Sequence, residues 1–144
     1  MLALRAAAGG DVDAVMALWL RAAENAGRPA DRREMVEALV ARDPGALIVA
    51  EVGGGGGGVG VVVGSVIAGW DGWRFHLYRL AVDPEWRRSG VGRALLEAAE
   101  ARFRELGATR VDAMVLDANA LGQEIWGATG YRRQADWRRW VKAL

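Results

Sequence analysis

The chain contains no cysteine, which excludes disulfides, thiolate metal sites and a cysteine nucleophile, and leaves the redox compartment unmarked. Its one lysine is Lys142. The Walker A pattern G-x-x-x-x-G-K-[ST] therefore cannot be written anywhere upstream, and P-loop nucleotide hydrolysis is excluded. No apolar run approaches the roughly 18 residues of a membrane span, and the opening "MLALRAAAGG" lacks the apolar centre of a signal peptide, so a cytoplasmic protein with no membrane partner is expected. The formal net charge is only +1, which argues against wholesale binding of nucleic acid and confines any electrostatic function to local clusters. Titratable side chains near neutrality are equally scarce, with His76 the sole histidine and Tyr78 and Tyr131 the only tyrosines. No metal site is expected.

What remains is the balance of an ordinary globular chain: 144 residues, 52% apolar and 26% charged, enough for a single domain over residues 1–144 that buries roughly two thirds of its unfolded surface. "LALRAA" reads as a first strand. In "GGDVDAVMALWLRAAENAG", Val12, Val15, Met16 and Trp19 recur at helical spacing, with Asp11 as N-cap and Gly27 as stop. "DRREMVEALVARD" fits a second helix with Met35, Val36 and Leu39 on one face. "DPGALIVAEV" and "VGVVVGSVIAGW" read as strands joined by six glycines at residues 53–58, a hairpin loop with no following helix to make it a phosphate cradle. "WRFHLYRLAV" is another strand after the turn signal Asp71-Gly72, and it ends at Asp83-Pro84. A helix over about residues 90–106 buries Val91, Leu95, Ala99 and Phe103. "ATRVDAMVL" is a strand, "NALGQEIWGAT" a short helix, and "YRRQADWRRWVKAL" a final strand or hairpin. The class is mixed α/β, with antiparallel strands in the middle and one helical crossover.

The most informative stretch is "DPEWRRSGVGRALLEAAE", residues 83–100, which sets three arginines and two glycines before a helix. A helix N-terminus carries partial positive charge and unpaired N–H groups, glycine admits an anion to them, and Arg87, Arg88 and Arg93 add phosphate-binding forks. Together these describe a pyrophosphate site, against the alternative of a solvated basic turn. The dinucleotide fingerprint G-x-G-x-x-G is not met, because Gly90-Val91-Gly92-Arg93-Ala94-Leu95 ends in leucine.

Arg87-Arg88-Ser89-Gly90-Val91-Gly92 resembles the [Q/R]-x-x-G-x-[G/A] signature of the GNAT N-acetyltransferase superfamily. "YRLAVDPEWR" resembles that family's strand into the loop, "NALGQEIWGATGYRR" its later N-x-x-A-x-x-[F/L]-[Y/W]-x-x-x-G-[F/Y] segment, and "GSVIAGWDGWRFHLYRLAV" a bacterial branch of small stand-alone members. The resemblance spans almost the whole chain. It implies a mostly antiparallel sheet flanked by helices and splayed between the fourth and fifth strands, with acetyl-CoA as cosubstrate and an amine as acceptor. It implies that pantetheine lies along Leu80, Ala81 and Val82 as a pseudo-strand, that the loop of Arg87, Arg88, Ser89, Gly90, Val91, Gly92 and Arg93 holds the pyrophosphate, and that Asn119 and Trp126 border the cofactor. A backbone N–H near Val82 would polarise the thioester carbonyl. Homodimers are common in the family. A non-catalytic acyl-CoA-binding or interaction module on the same fold is the alternative.

Two departures from the family pattern concern catalysis. A glutamate is frequent near the position of Tyr78, where this chain has His76, Tyr78 and Arg79; strand alternation places His76 on one face with Tyr78 and Leu80, and His76 is a candidate base. Asp71, Asp83, Glu85 and Glu124 are further candidates. Trp126 stands where many members have a tyrosine that protonates the leaving thiolate, and an indole has no usable acidity, so either the thiolate leaves unassisted or another hydroxyl serves, with Tyr78 the candidate proton donor or water-orienting group. Trp70 and Trp73 flank a turn that lines an acceptor pocket or packs the hairpin end. Trp137 and Trp140 offer a dimer contact or an arginine-shielded edge.

Overall fold

β-Branched residues concentrate in the middle third of the chain, and that is where the sheet forms. The computed structural model describes residues 1–22, 25 and 27–144. Five strands lie in the order β1 (Leu2–Ala6), β2 (Leu47–Val52), β3 (Val61–Trp70), β4 (Phe75–Val82) and β5 (Asp112–Ala113). The first four pair antiparallel, whereas β5 runs parallel to β4 through only two partners, His76↔Asp112 and Leu77↔Ala113. Parallel pairing requires a crossover, here supplied by helix α3 (Val91–Glu105). From Tyr78 onward β4 pairs with no strand on that edge among the described residues, so the sheet splays there.

Alternation along the strands feeds two cores. On one face Ile48, Ala50, Val66 and Leu77 pack against Val91, Leu95, Leu96, Ala99 and Phe103 of α3. On the other, Leu47, Val49 and Ala81 pack against Val12, Val15, Leu18 and Trp19 of helix α1 (Val12–Ala22) and Val36 of helix α2 (Arg33–Arg42). Residue 64 is glycine where α3 crosses β3 most closely: a Cβ there would lie 2.8 Å from Val91 Cγ1 and 2.9 Å from Leu95 Cδ1. Helix α4 (Ala120–Ala128) completes the α3 side, with Ile125 and Trp126 against the core. No helix among the described residues is long and apolar enough to cross a membrane.

The structure corrects several expectations. Asp11 is not the N-cap of α1; it ends a short 3-10 turn, Gly9–Asp11, and its carboxylate accepts from the Ala8 N–H at 2.8 Å while pairing with Arg5. Helix α1 ends at Ala22 rather than at Gly27, and the expected continuation over residues 23, 24 and 26 lies outside the described residues. The strand expected over residues 108–116 is regular only at Asp112–Ala113, because past that point it diverges from β4. No strand forms over residues 131–144: Trp137, Trp140 and Val141 are 69%, 94% and 83% exposed, so their spacing buries nothing that would reward pairing.

Candidate functional site

The loop after β4 is built by local hydrogen bonds. Pro84 opens a 3-10 turn, Pro84–Trp86; the Asp83 carboxylate accepts from the Glu85 N–H at 3.0 Å, and Trp86 N–H donates to the Asp83 carbonyl at 2.8 Å. Arg21 Nη2 of α1 reaches Asp83 Oδ2 at 2.8 Å, and this guanidinium, followed by the Glu85 N–H, holds the Asp83 carboxyl below the usual carboxylate range. Asp83 is thus occupied as an anchor and is a poor base. The chain then turns through Arg88 at φ 60°, the Ser89 hydroxyl donates to the Trp86 carbonyl, and Gly90 adopts the left-handed conformation at φ 86° as the N-cap of α3. That conformation favours glycine.

The first intrahelical bond of α3 runs from Ala94 N–H to the Gly90 carbonyl at 3.0 Å. The N–H groups of Val91, Gly92 and Arg93 precede it and lack a partner within the helix. Arg87 and Arg88 stand exposed beside them. This donor set fits a pyrophosphate. Two of the seven loop residues serve another end. Gly92 is bare because a Cβ would collide with Ile125 Cδ1, so its glycine lets α4 approach α3; and Arg93 Nη2 leans toward the Ala128 carbonyl at 3.5 Å, at the C-terminal end of α4.

The loop adjoins the free edge of β4. Asp83 N–H donates to the Val63 carbonyl at 2.8 Å, so by the alternation of an antiparallel ladder the N–H and C=O of Val82 point away from β3, to the side that β5 has left. Opposite Val66 of β3, β4 places two residues, Arg79 and Leu80, and Arg79 has φ 51°. This bulge reverses the facing of the residues beyond it. His76 and Tyr78 share a face, with ring centroids 5.9 Å apart, whereas Leu80 lies on the opposite face with Leu77 and Val82 against the α3 core, and Ala81 faces α1. The expectation that Leu80 joins His76 and Tyr78 fails because strict alternation does not survive the bulge.

The bulge is held by a buried network. Trp19 Nε1–H donates to Ser65 Oγ at 2.8 Å, and the Ser65 hydroxyl donates to the Arg79 carbonyl at 3.2 Å. The Arg79 side chain, 3% exposed, lies over the Trp19 ring at 5.1 Å, bonds Asn25 Oδ1 at 2.9 Å and pairs with the Asp31 carboxylate. Beside this network an open pocket of about 190 Å³ is floored by Trp19, Val36, Leu39 and Ile67, with Tyr78 and Arg79 on its inner wall. Arg28, Asp31, Arg32 and Met35 form its α1–α2 side. Asn25, Asp31 and Ser65 carry no motif, and no sequence pattern singles them out; the one available signal was an arginine interrupting an apolar strand.

Tyr78 is 43% exposed and is the first residue of β4 beyond the pairing with β5. Partial burial pushes its phenol above the usual range. His76 Nδ1 is 3.9 Å from Asp112 Oδ2 on the facing strand, longer than a hydrogen bond. Asp71 is spent on its own turn, accepting from the N–H groups of Arg74 and Trp73 at 2.6 and 2.7 Å, and those two bonds lower its pKa. Glu124 points to solvent on α4. Trp70 stacks on Phe75 at 6.2 Å and Trp73 is 75% exposed under Arg74.

On the far wall Asn119 caps α4, its Oδ1 accepting from Gly122 N–H at 2.8 Å. Trp126 meets Tyr131 edge-on, centroids 4.9 Å apart. The Tyr131 hydroxyl is buried with no hydrogen-bond partner among the described residues, and burial raises its pKa to about 12. Tyr131 is therefore a packing residue of the α3 side.

The five-stranded mixed sheet with parallel β4 and β5 and flanking helices matches the fold of solved N-acetyltransferases. Residues 12–131 match the model of the acetyltransferase (GNAT) family, and the chain belongs to that family. It is an enzyme of the N-acetyltransferase class. An acetyltransferase of Pectobacterium atrosepticum is 36% identical over 110 residues, which cover 76% of this chain and 72% of that protein. Among solved structures, Ard1 from Thermoplasma volcanium superposes with a TM-score of 0.78 at 21% identity, covering 93% of this chain and 84% of that one. AAC(6')-Iy in complex with a bisubstrate analog, CoA-S-monomethyl-acetylneamine, gives 0.73 at 18% identity, covering 100% and 99% of the two chains. At these identities both likenesses are of fold.

Proposed function

We propose that the chain works as a single domain over residues 1–144 and moves the acetyl group of acetyl-CoA to a primary amine by direct attack on the thioester, in the cytoplasm. The observation that carries this reading is the free edge of β4 from Tyr78 to Val82, lying directly before the donor-rich start of α3. An extended pantetheine adds to such an edge through main-chain hydrogen bonds, as a peptide strand would, and the anionic end then falls on Arg87, Arg88 and the N–H groups of residues 89–93. Asn119 and Trp126 close the cleft from α4.

In this reading the amine nitrogen attacks the carbonyl carbon, the C–S bond breaks and sulfur leaves as a thiolate. The Val82 N–H, turned to the open edge, stabilises charge on the carbonyl oxygen. The proton that the amine loses passes through water toward His76, the candidate base farther along the strand. Tyr78, standing where the strands part, gives its phenol proton to the thiolate or orients a water that does; Trp126 has none to give.

The test compares Tyr78→Phe with Tyr131→Phe. Loss of a positioned proton donor lowers kcat by about 10²-fold or more, and Tyr78→Phe should show this with an unchanged acetyl-CoA Kd. Tyr131→Phe should leave both values at wild type. Wild-type kcat in Tyr78→Phe would overturn the assignment in favour of unassisted thiolate departure.

A further inference from the structure

On the acetyl-transfer reading just given, we infer that the acceptor is a free α-amino acid with an apolar side chain of about leucine or methionine size, seated in the pocket between α2 and the bulge of β4. Three observations converge on this class. The first is size: the pocket measures about 190 Å³, below the roughly 300–1,000 Å³ that holds a drug-sized ligand. An oligosaccharide does not fit within it, and one side chain does.

The second is the floor. Trp19 and Val36 are almost fully buried, and with Leu39 and Ile67 they present hydrocarbon and an indole face. The one polar group of the floor is already used, since the Trp19 N–H is spent on Ser65. A hydroxylated or charged side chain placed there would lose its water and gain no partner.

The third is charge. Among the described residues the pocket is lined by the guanidiniums of Arg28, Arg32 and Arg79 and by the carboxylate of Asp31. Asp31 is engaged by Arg79, so its charge is neutralised within the wall. A carboxylate at the pocket mouth therefore has to be drawn by an arginine that can change partners. Arg32 is the group placed to receive one: among the described residues its side chain pairs only with Glu34 two residues on, and both side chains are more than 60% exposed. Such a solvated pair exchanges partners readily, whereas a bidentate guanidinium–carboxylate bond to a ligand at the pocket mouth is geometrically specific. With the side chain on the floor and the carboxylate at the rim, the amino group is left facing Tyr78, at the border of the pocket and the cleft.

The experiment measures release of free CoA thiol from acetyl-CoA with leucine, leucinamide, 3-methylbutylamine, a leucine-initiated tripeptide and kanamycin. Leucine should exceed leucinamide and 3-methylbutylamine by at least tenfold in kcat/KM, with the tripeptide and kanamycin lower still. In Arg32→Met, an exposed change that leaves the fold alone, the leucine KM should rise about tenfold or more with kcat held, and the leucine-to-leucinamide ratio should fall toward one. Equal kcat/KM for leucine and leucinamide, or preference for kanamycin or the tripeptide, overturns this acceptor class and leaves acetyl transfer standing. No thiol release above hydrolysis with any amine, although acetyl-CoA binds, overturns both.

Discussion

On the α3 side of β4, Leu77, Leu80 and Val82 meet hydrocarbon, with Leu95 and Phe103 fully buried above them. On the α1–α2 side of the same strand, Tyr78 and Arg79 sit beside a tryptophan, a buried serine and an aspartate. The first side is specified by area and shape, the second by direction. The bulge at Arg79 lets one short strand serve both, because it turns two successive side chains toward the α1–α2 side and returns Leu80 to the core. The cofactor reading depends on the apolar side holding α3 against the open edge, and the acceptor reading on the polar side.

If that contrast is right, the largest loss comes from the apolar side. Phe103→Ala empties a fully buried position, at a cost of about 3–5 kcal/mol, and urea unfolding measures it. A loss below about 1 kcal/mol would mean that α3 is held by something other than this core.

Next, Asp31→Ala leaves the Arg79 guanidinium, 3% exposed, without its carboxylate. Removing one partner of a buried pair costs about 3 kcal/mol, whereas replacing the buried cation itself by a hydrocarbon chain costs less. Asp31→Ala should therefore destabilise more than Arg79→Met, and the reverse order would show that the network is not governed by burial of charge.

A smaller effect separates direction from area on the polar side. Trp19→Phe keeps most of the packing and deletes the N–H that donates to Ser65, for about 1 kcal/mol. The smallest effect lies away from both faces. Replacing the glycines at residues 53–58 by Asn-Gly shortens the β2–β3 connection, and each doubling of loop length is worth only about 0.6 kcal/mol. Stability should hold or rise slightly, with acetyl-CoA binding intact; loss of binding would draw that loop into the site.

Sequence periodicity located the apolar side well. Val91, Leu95, Ala99 and Phe103 are all buried, Gly90 caps α3, and Asn119 caps α4. These are local signals, carried by residues three or four apart or by a cap and its helix. The polar side was opaque for the opposite reason. Arg79 meets Asp31 across 48 positions and Ser65 across 14, and no spacing rule reports such a contact. The reversal at Arg79 is likewise tertiary: a positive φ at an arginine has no sequence signature, so alternation misplaced Leu80. The final segment misled in another way, since its two tryptophans, three apart around two arginines, suggested a strand while remaining exposed.

The central claim is that the cleft between the free edge of β4 and the start of α3 binds acetyl-CoA, and its most direct measurement is the ligand-induced shift in stability. At about 100 times its Kd, acetyl-CoA should stabilise the wild-type protein by about 2.7 kcal/mol. Gly90→Asp is the cleaner of the possible blocks, because a Cβ at Gly90 meets nothing within 4 Å, whereas one at Gly92 strikes Ile125. Its left-handed backbone should cost the unliganded fold about 1–2 kcal/mol, while the carboxylate stands where phosphate must approach. The account predicts a folded Gly90→Asp protein whose acetyl-CoA shift is lost. A folded variant with the full wild-type shift would contradict it.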